Sequence, residues 1–314
     1  MTRPLHKRLL RWLDSSVATE GSPDAAVNRI DWLRALPFFA LHLACFAVIW
    51  VGWSWFAVLF ALAIYGLRMF AITAFYHRYF SHKAFRTSRP LQFIFALAGS
   101  TAVQRGPLWW ASQHRHHHVN SDRHEDAHSP VQHGFIWSHL GWFLSDAHFS
   151  TRTERVKELA EFPELRFLDR FDVVVPALFA LAIFGLGEWL ALAAPGLETN
   201  GWQLLVWGFA ISTVLLYHAT FSVNSLAHAW GSRRYETRDH SRNNLLIALL
   251  TLGEGWHNNH HHYPGSAHQG FYWWEIDITW YGLKLLAACG LIWDLKTVPA
   301  SVRESRRRHV KEMP

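Results

Sequence analysis

Cysteine and methionine are scarce, at two and three of 314 residues. Cys45 and Cys289 both sit in apolar runs, which excludes a disulfide framework, a thiolate metal site and an iron–sulfur cluster. Charge is scarce as well. Only 17% of residues are charged, against about 25% in a soluble domain, while 50% are hydrophobic; that excludes a disordered chain and an ordinary water-soluble surface. The formal charge of +6 is spread over polar segments and basic ends with no zinc-finger, homeodomain or RNA-binding signature. No nucleic-acid partner is expected, and membrane lipids with an anionic surface fit better. Internal repeats and coiled-coil heptads are missing. The N-terminus, with Arg3, Lys7, Arg8 and Arg11, lacks the compact apolar core and small-residue cleavage site of a signal peptide, so it is expected to stay in place.

What the chain has instead is long apolar runs. Residues 38–75 are almost continuously apolar, and one helix of that length would reach roughly 57 Å, nearly twice the hydrocarbon core. The run must turn back at Gly52-Trp53-Ser54-Trp55, predicting spans at about 36–53 and 55–75. A second pair is predicted at 173–194 and 202–223, with turn signals at Pro195-Gly196 and Asn200-Gly201 between them. Shorter runs at 91–103 and 285–293 read as interfacial or buried helices. Lys and Arg are missing from residues 171–232 and from the first hairpin tip, and abundant elsewhere. The positive-inside tendency therefore puts both termini and the polar stretch between the pairs in the cytoplasm. The expected fold is all-α and integral to the membrane, with four transmembrane helices under a cytosolic helical cap. A cytosolic segment at 1–35 precedes the main domain at 36–285, and a basic cytosolic tail follows at 286–314.

Histidine is abundant, at 22 residues, and it clusters in the polar portions. The groups are His77-Arg-Tyr-Phe-Ser-His82, His114-Arg-His-His-His118 and His257-Asn-Asn-His-His-His262. In the last two, His114, His117 and His118, and likewise His257, His260 and His261, stand at i, i+3 and i+4, which puts three imidazoles on one helical face. One such face could hold most of one metal's coordination shell, and two faces imply two metals. Asn224-Ser-Leu-Ala-His228 adds an i, i+4 pair: His228 can complete a shell, and Asn224 can hold a metal-bound water. His116 and His262 fall off the shared faces. His42 reads as an isolated core residue, and His124, His128, His133, His139 and His148 as loop or supporting residues. Nine nitrogen ligands without thiolates are too many for one ion and unlike structural zinc. Two redox-active irons suit oxygen activation best, with copper and zinc left open by ligand softness alone.

These motifs, with Gly253-Glu-Gly-Trp-His-Asn-Asn-His-His-His-Tyr-Pro264, resemble the membrane fatty acid desaturases, in particular the stearoyl-CoA (acyl-CoA delta-9) branch, over roughly residues 35–285. The resemblance implies a diiron centre held by His77, His82, His114, His117, His118, His228, His257, His260 and His261, with Asn224 near a bound water. It also implies a kinked acyl tunnel with substrate-binding Gln104, Trp110 and Thr220 at its bend; Phe221 stands where a tryptophan is common in animal enzymes. The implied activity is insertion of a cis double bond at delta-9 of a saturated acyl-CoA, with O2 as co-substrate and two iron ions as cofactor. A phospholipid-linked chain and a same-family hydroxylase are the near alternatives, and a membrane metal transporter or scaffold the distant one. A saturated chain offers no polar handle at the reacting carbons, so a closed apolar tunnel must set its register. No fused His-Pro-Gly-Gly cytochrome segment is seen. A separate ferredoxin-like or cytochrome b5-like donor with its reductase is expected to dock on the cytosolic face. The basic run at Arg303, Arg306, Arg307, Arg308 and Lys311 reads as a solvated tail rather than a binding site.

Overall fold

The computed structural model describes residues 10, 12–16 and 29–307; Arg3, Lys7, Arg8, Arg11, Arg308 and Lys311 lie outside the described residues. Four helices are long and apolar enough to cross a membrane: Trp32–Val51, Trp55–Ser81, Val174–Ala193 and Gly201–His228. We call them α1, α2, α4 and α5, and the helix Pro107–Asn120 between the pairs α3. Asp31 caps α1 by accepting the Arg34 N–H. Pro37 cannot donate to Leu33 one turn earlier, and that carbonyl instead accepts the Trp12 indole N–H at 2.9 Å. Gly52, at φ +65°, ends α1 in a conformation that favours glycine. Ser54 then caps α2 through the Ala57 N–H at 3.1 Å. Asn200 caps α5 through the Gln203 N–H at 2.9 Å.

Two spans outrun their apolar stretches. α2 continues to Ser81 rather than stopping near residue 75, and α5 continues to His228 rather than 223, because packing of the cap replaces lipid around their ends. Phe75 stacks on Phe95 at 3.9 Å between centroids, and Tyr76, Arg78 and Phe80 are fully buried. From Ala71 to Ser81 the helix is in the wider π form. Deep in the bundle, the buried Arg68 of α2 donates to Thr101 O (3.1 Å) and Thr213 Oγ1 (2.7 Å), and to the Ser212 hydroxyl.

The rest of the cap is short helices, including α6 (Leu245–Leu250), α7 (His257–His262), α8 (Ile278–Ala288) and α9 (Ala300–Glu304). The all-α expectation has one exception among the described residues, a two-residue antiparallel ladder pairing Arg86 with Trp293 and Thr87 with Ile292. The apolar run at 285–293 is accordingly not one helix. α8 ends at Ala288, Gly290 turns at φ +72°, and Ile292–Trp293 is a strand. Residues 300–307 do not hang free. Tyr235 bridges to Arg307, Glu236 N donates to Arg306 O, and the Tyr235 hydroxyl donates to Arg303 O.

Candidate metal centre

Nine histidines meet where α2, α3, α5 and α7 converge. His77, His82, His114, His118 and His260 form one group and His117, His228, His257 and His261 another; in each, one ligand atom per residue lies within 4.8 Å of the others. Nε2 atoms face one another at 2.8 Å (His82 and His114), 3.0 Å (His114 and His118), 2.8 Å (His118 and His260) and 3.1 Å (His77 and His260). In the second group the Nε2 atoms of His228 and His257 are 3.0 Å apart. The π turn explains the first pair. It closes five residues instead of four, so His77 and His82 return to the same side, their rings 4.9 Å apart.

Each trio lies on a helix, but neither serves one group. α3 gives His114 and His118 to the five-histidine group and His117 to the other, whereas α7 gives His257 and His261 to the four-histidine group and His260 to the five. At 100° per residue, i and i+4 differ by about 40° while i+3 lies about 60° to the opposite side. A trio therefore straddles two sites, and the expectation of one trio per metal is corrected on that ground.

The outward ring nitrogens are held by acids that no motif announced. Nδ1 of His117 lies 3.0 Å from Asp126, that of His228 3.0 Å from Asp122 and that of His261 2.7 Å from Asp239, while His77 Nδ1 contacts Glu254. A carboxylate there fixes the proton on Nδ1 and leaves Nε2 as an inward lone pair. Burial and neighbouring rings push His82, His114, His118, His257 and His260 well below the usual imidazole range. Burial, offset in part by Asp239, brings His261 to about 4. Burial acts the same way on His117, but Asp126 outweighs it and raises that ring. Burial would raise Asp122, Asp126 and Asp239, yet their histidine partners hold all three below the normal carboxylate range. Buried Nε2 atoms of His117 and His261 have no hydrogen-bond partner. Convergent nitrogen lone pairs repel one another unless a cation lies between them, so the donor set fits two borderline transition-metal ions.

Glu254 is itself held by Arg78, which also bonds Asp277 (2.9 and 3.0 Å) and Ala267 O (2.7 Å). Gly253, at φ +132°, lets the chain pass this pair; a Cβ there would sit 2.4 Å from Asp277 Oδ1. The two asparagines of His257-Asn-Asn-His260 are fully buried clamps. Asn258 Oδ1 accepts from Arg234 N and Tyr235 N (2.8 and 2.7 Å), and Asn243 Oδ1 accepts from Asn258 N and Asn259 N (3.0 and 3.1 Å). His116 and His262 join neither group: they meet Glu125 O and Val302 O. His128 packs at a tilt against His117, ring centroids 4.3 Å apart. His42 is not isolated but contacts His218, which contacts His139, at 3.2 and 3.0 Å.

A cavity of about 590 Å³ abuts the histidines, its lining extending from Trp12, Leu13 and Arg34 past Gln104, Trp110 and Thr220 to Asn224, His77, His114 and His257. Gln104 donates to Thr220 Oγ1 at 2.8 Å and accepts the Trp110 indole N–H at 3.3 Å, so these three form one hydrogen-bonded chain across the wall. Phe221 is also in the lining.

The family model described as "Fatty acid desaturase" matches residues 53–288. The chain is 37% identical over 284 residues to the sn-1 stearoyl-lipid 9-desaturase of Anabaena variabilis, covering 90% of this chain and 97% of the relative. It is 38% identical over 284 residues to the acyl-CoA C20 Delta5-desaturase of Anemone leveillei, covering 89% and 86%. To the Delta-9 acyl-lipid desaturase 1 of Arabidopsis thaliana it is 34% identical over 286 residues, covering 90% and 88%.

Proposed function

The chain belongs to the fatty acid desaturase family, and from that premise we propose that it inserts a cis double bond, at delta-9, into a saturated fatty acyl chain. The carrying observation is the apolar-walled cavity that ends on two groups of inward-facing imidazoles. His77, His82, His114, His118 and His260 would hold one iron, and His117, His228, His257 and His261 the other, with Asn224 beside a bound water. Bound iron supplies the oxidising power for removing two hydrogens from adjacent methylenes. The balance is –CH2–CH2– + O2 + 2 e⁻ + 2 H⁺ → –CH=CH– + 2 H2O, with the electrons coming from a separate carrier. The protein's part is positional: the cavity holds the acyl chain against the imidazoles, and the Trp110–Gln104–Thr220 chain forms a polar seam where it bends. The centre lies at the cytoplasmic face, in keeping with the basic segments around it.

Thioester and glycerolipid substrates share this chemistry. The cavity also reaches Pro37 and Leu41 of α1 and Pro176, Ala177 and Ala180 of α4, which are positions inside membrane spans. That rim favours a lipid-linked chain entering from the bilayer over the coenzyme A thioester. The test is the full-length protein in nanodiscs with iron, O2 and a reduced donor, given stearate either as sn-1 phosphatidylcholine or as the coenzyme A thioester. Mass spectrometry should find O2-dependent oleoyl product, more from the lipid, and about two irons per chain. Readily exchanged zinc with no oxygen consumption would instead favour a metal-binding scaffold.

A further inference from the structure

The four-histidine group lies one residue below a basic surface built from two segments distant in sequence. Residues 232–243 form a loop closed at its base by the Ser232–Asn243 bridge. That base sits between the end of α5 and α6, whose Leu245, Leu246, Leu249 and Leu250 are exposed as lipid-facing side chains would be. Against the loop lies the 303–307 segment, tied by the Tyr235–Arg307 bridge and the Glu236–Arg306 and Tyr235–Arg303 hydrogen bonds. The combined face carries Arg233, Arg234, Arg238, Arg242, Arg303, Arg306 and Arg307 against Glu236, Asp239 and Glu304; Arg234 pairs with Glu275, and Arg303 and Arg307 with Glu304, while Arg238, Arg306 and Arg307 are exposed.

The same loop holds the metal ligands. Asp239, next to Arg238, accepts from His261 Nδ1 at 2.7 Å. His240 places its backbone N–H 2.7 Å from Asp122, the carboxylate that holds His228. Asn258, inside α7, fixes the loop through Arg234 N and Tyr235 N. Anything seated on the loop is therefore coupled to two of the four ligands through a single side chain each.

The geometry points to this face, residues 233–242 with 303–307, as the docking site of an acidic one-electron carrier protein, with electrons entering through the four-histidine group. The inference rests on the desaturase reading, which requires two electrons per turnover from outside. Charge complementarity identifies the partner class, since seven arginines against three acids leave a net positive face that attracts an acidic surface and speeds its encounter. An anionic lipid headgroup is the competing occupant; the direct bonds from this loop to Asp122 and His261 favour a partner that exchanges electrons with the centre.

The test reads binding rather than turnover. Full-length, iron-loaded protein in phosphatidylcholine nanodiscs is titrated with an acidic plant-type [2Fe–2S] ferredoxin and, separately, with a soluble cytochrome b5 domain, at 20 to 200 mM salt. Wild type should bind at least one carrier, more weakly as salt rises. Arg238→Glu with Arg306→Glu should raise Kd at least about tenfold and flatten the salt dependence, the milder Arg238→Gln should do so partially, and Arg86→Glu, on the two-stranded ladder, should change neither. Wild-type affinity in the double variant, or no binding of either carrier to wild type, overturns the proposal. So does a double variant that loses only affinity for phosphatidylserine vesicles, which would make the face a lipid site. Oleoyl product from wild type is scored separately, so failure of the desaturase reading is distinguishable from failure of the docking site.

Discussion

At the residue scale, the centre depends as much on its carboxylates as on its imidazoles. Asp122, Asp126 and Asp239 each hold an Nδ1–H of the four-histidine group. Such partners fix the tautomer and raise ligand basicity, and losing one typically costs about 10–100-fold in metal affinity. Asp239→Ala should therefore weaken one of two bound metals by that factor in a chelator competition, Asp239→Asn by less, because its amide oxygen can still accept the His261 proton. Equal loss of both metals would show that the groups are not independent. Arg78 has a different task. It is fully buried between Glu254 and Asp277, and removing one member of a buried ion network strands the other charges at a cost of about 3–5 kcal/mol. Arg78→Met should lower the thermal midpoint in nanodiscs sharply, and an unchanged midpoint would mean the acids find other partners.

At the element scale, some features were legible in the sequence because they have a period or a composition. The four spans follow from uninterrupted apolar runs, and the helical setting of His114–His118 and His257–His261 from their spacing. Where α2 and α5 end was not legible, since burial of Tyr76 to Ser81 by the cap, rather than local composition, carries the helix on. The splitting of each trio depends on how α3 and α7 cross, which no single segment encodes. Asp122, Asp126 and Asp239 sit in loops without periodicity, so only proximity shows what they do; Glu254, inside a quoted motif, carried a positional hint that its neighbours' spacing did not explain. Asp169 is a similar case. It caps α3 from outside, accepting Trp109 N–H at 2.7 Å and the Thr151 hydroxyl at 2.7 Å. Burial lifts it from 3.8 to about 6. A carboxyl with a raised folded-state pKa contributes stability below its unfolded value and loses it as pH rises through the folded one. About two units correspond to about 3 kcal/mol, lost between pH 4 and pH 6. Asp169→Asn can accept the Trp109 N–H through its amide oxygen and donate its NH2 to the Thr151 hydroxyl, and it cannot ionise, so relative to wild type it should gain stability as pH rises from 4.5 to 7.5 in paired melting curves. A constant difference across that range would place the ionised form in a better-solvated setting than its burial implies.

At the scale of the whole molecule, the spans do more than anchor the cap. α1 and α4 each pack on α5, and the cavity lies between them and continues upward to the histidines, lined by Leu41 and Ala177 at one end and His114 and His257 at the other. On the proposed reading, a tunnel entered from the bilayer selects substrate by where the head group must stay. A glycerolipid can keep its head group at the interface while one acyl chain slides between α1 and α4; a soluble thioester must first bring its chain past Trp12, Leu13 and Arg34. Narrowing the gap should therefore separate the two. Ala177→Trp, on the exposed rim of α4, should cut turnover of sn-1 stearoyl phosphatidylcholine by about tenfold or more, since a small misplacement of the reacting carbons is already costly. Turnover of stearoyl-CoA should fall less, and the double bond should stay at the same carbon, because the Trp110–Gln104–Thr220 chain, the proposed bend, is untouched. Equal loss for both substrates would mean that every acyl chain passes this gap. No loss for either would mean that lipid chains share the Arg34 entrance, and the lateral rim would then be a wall rather than a door.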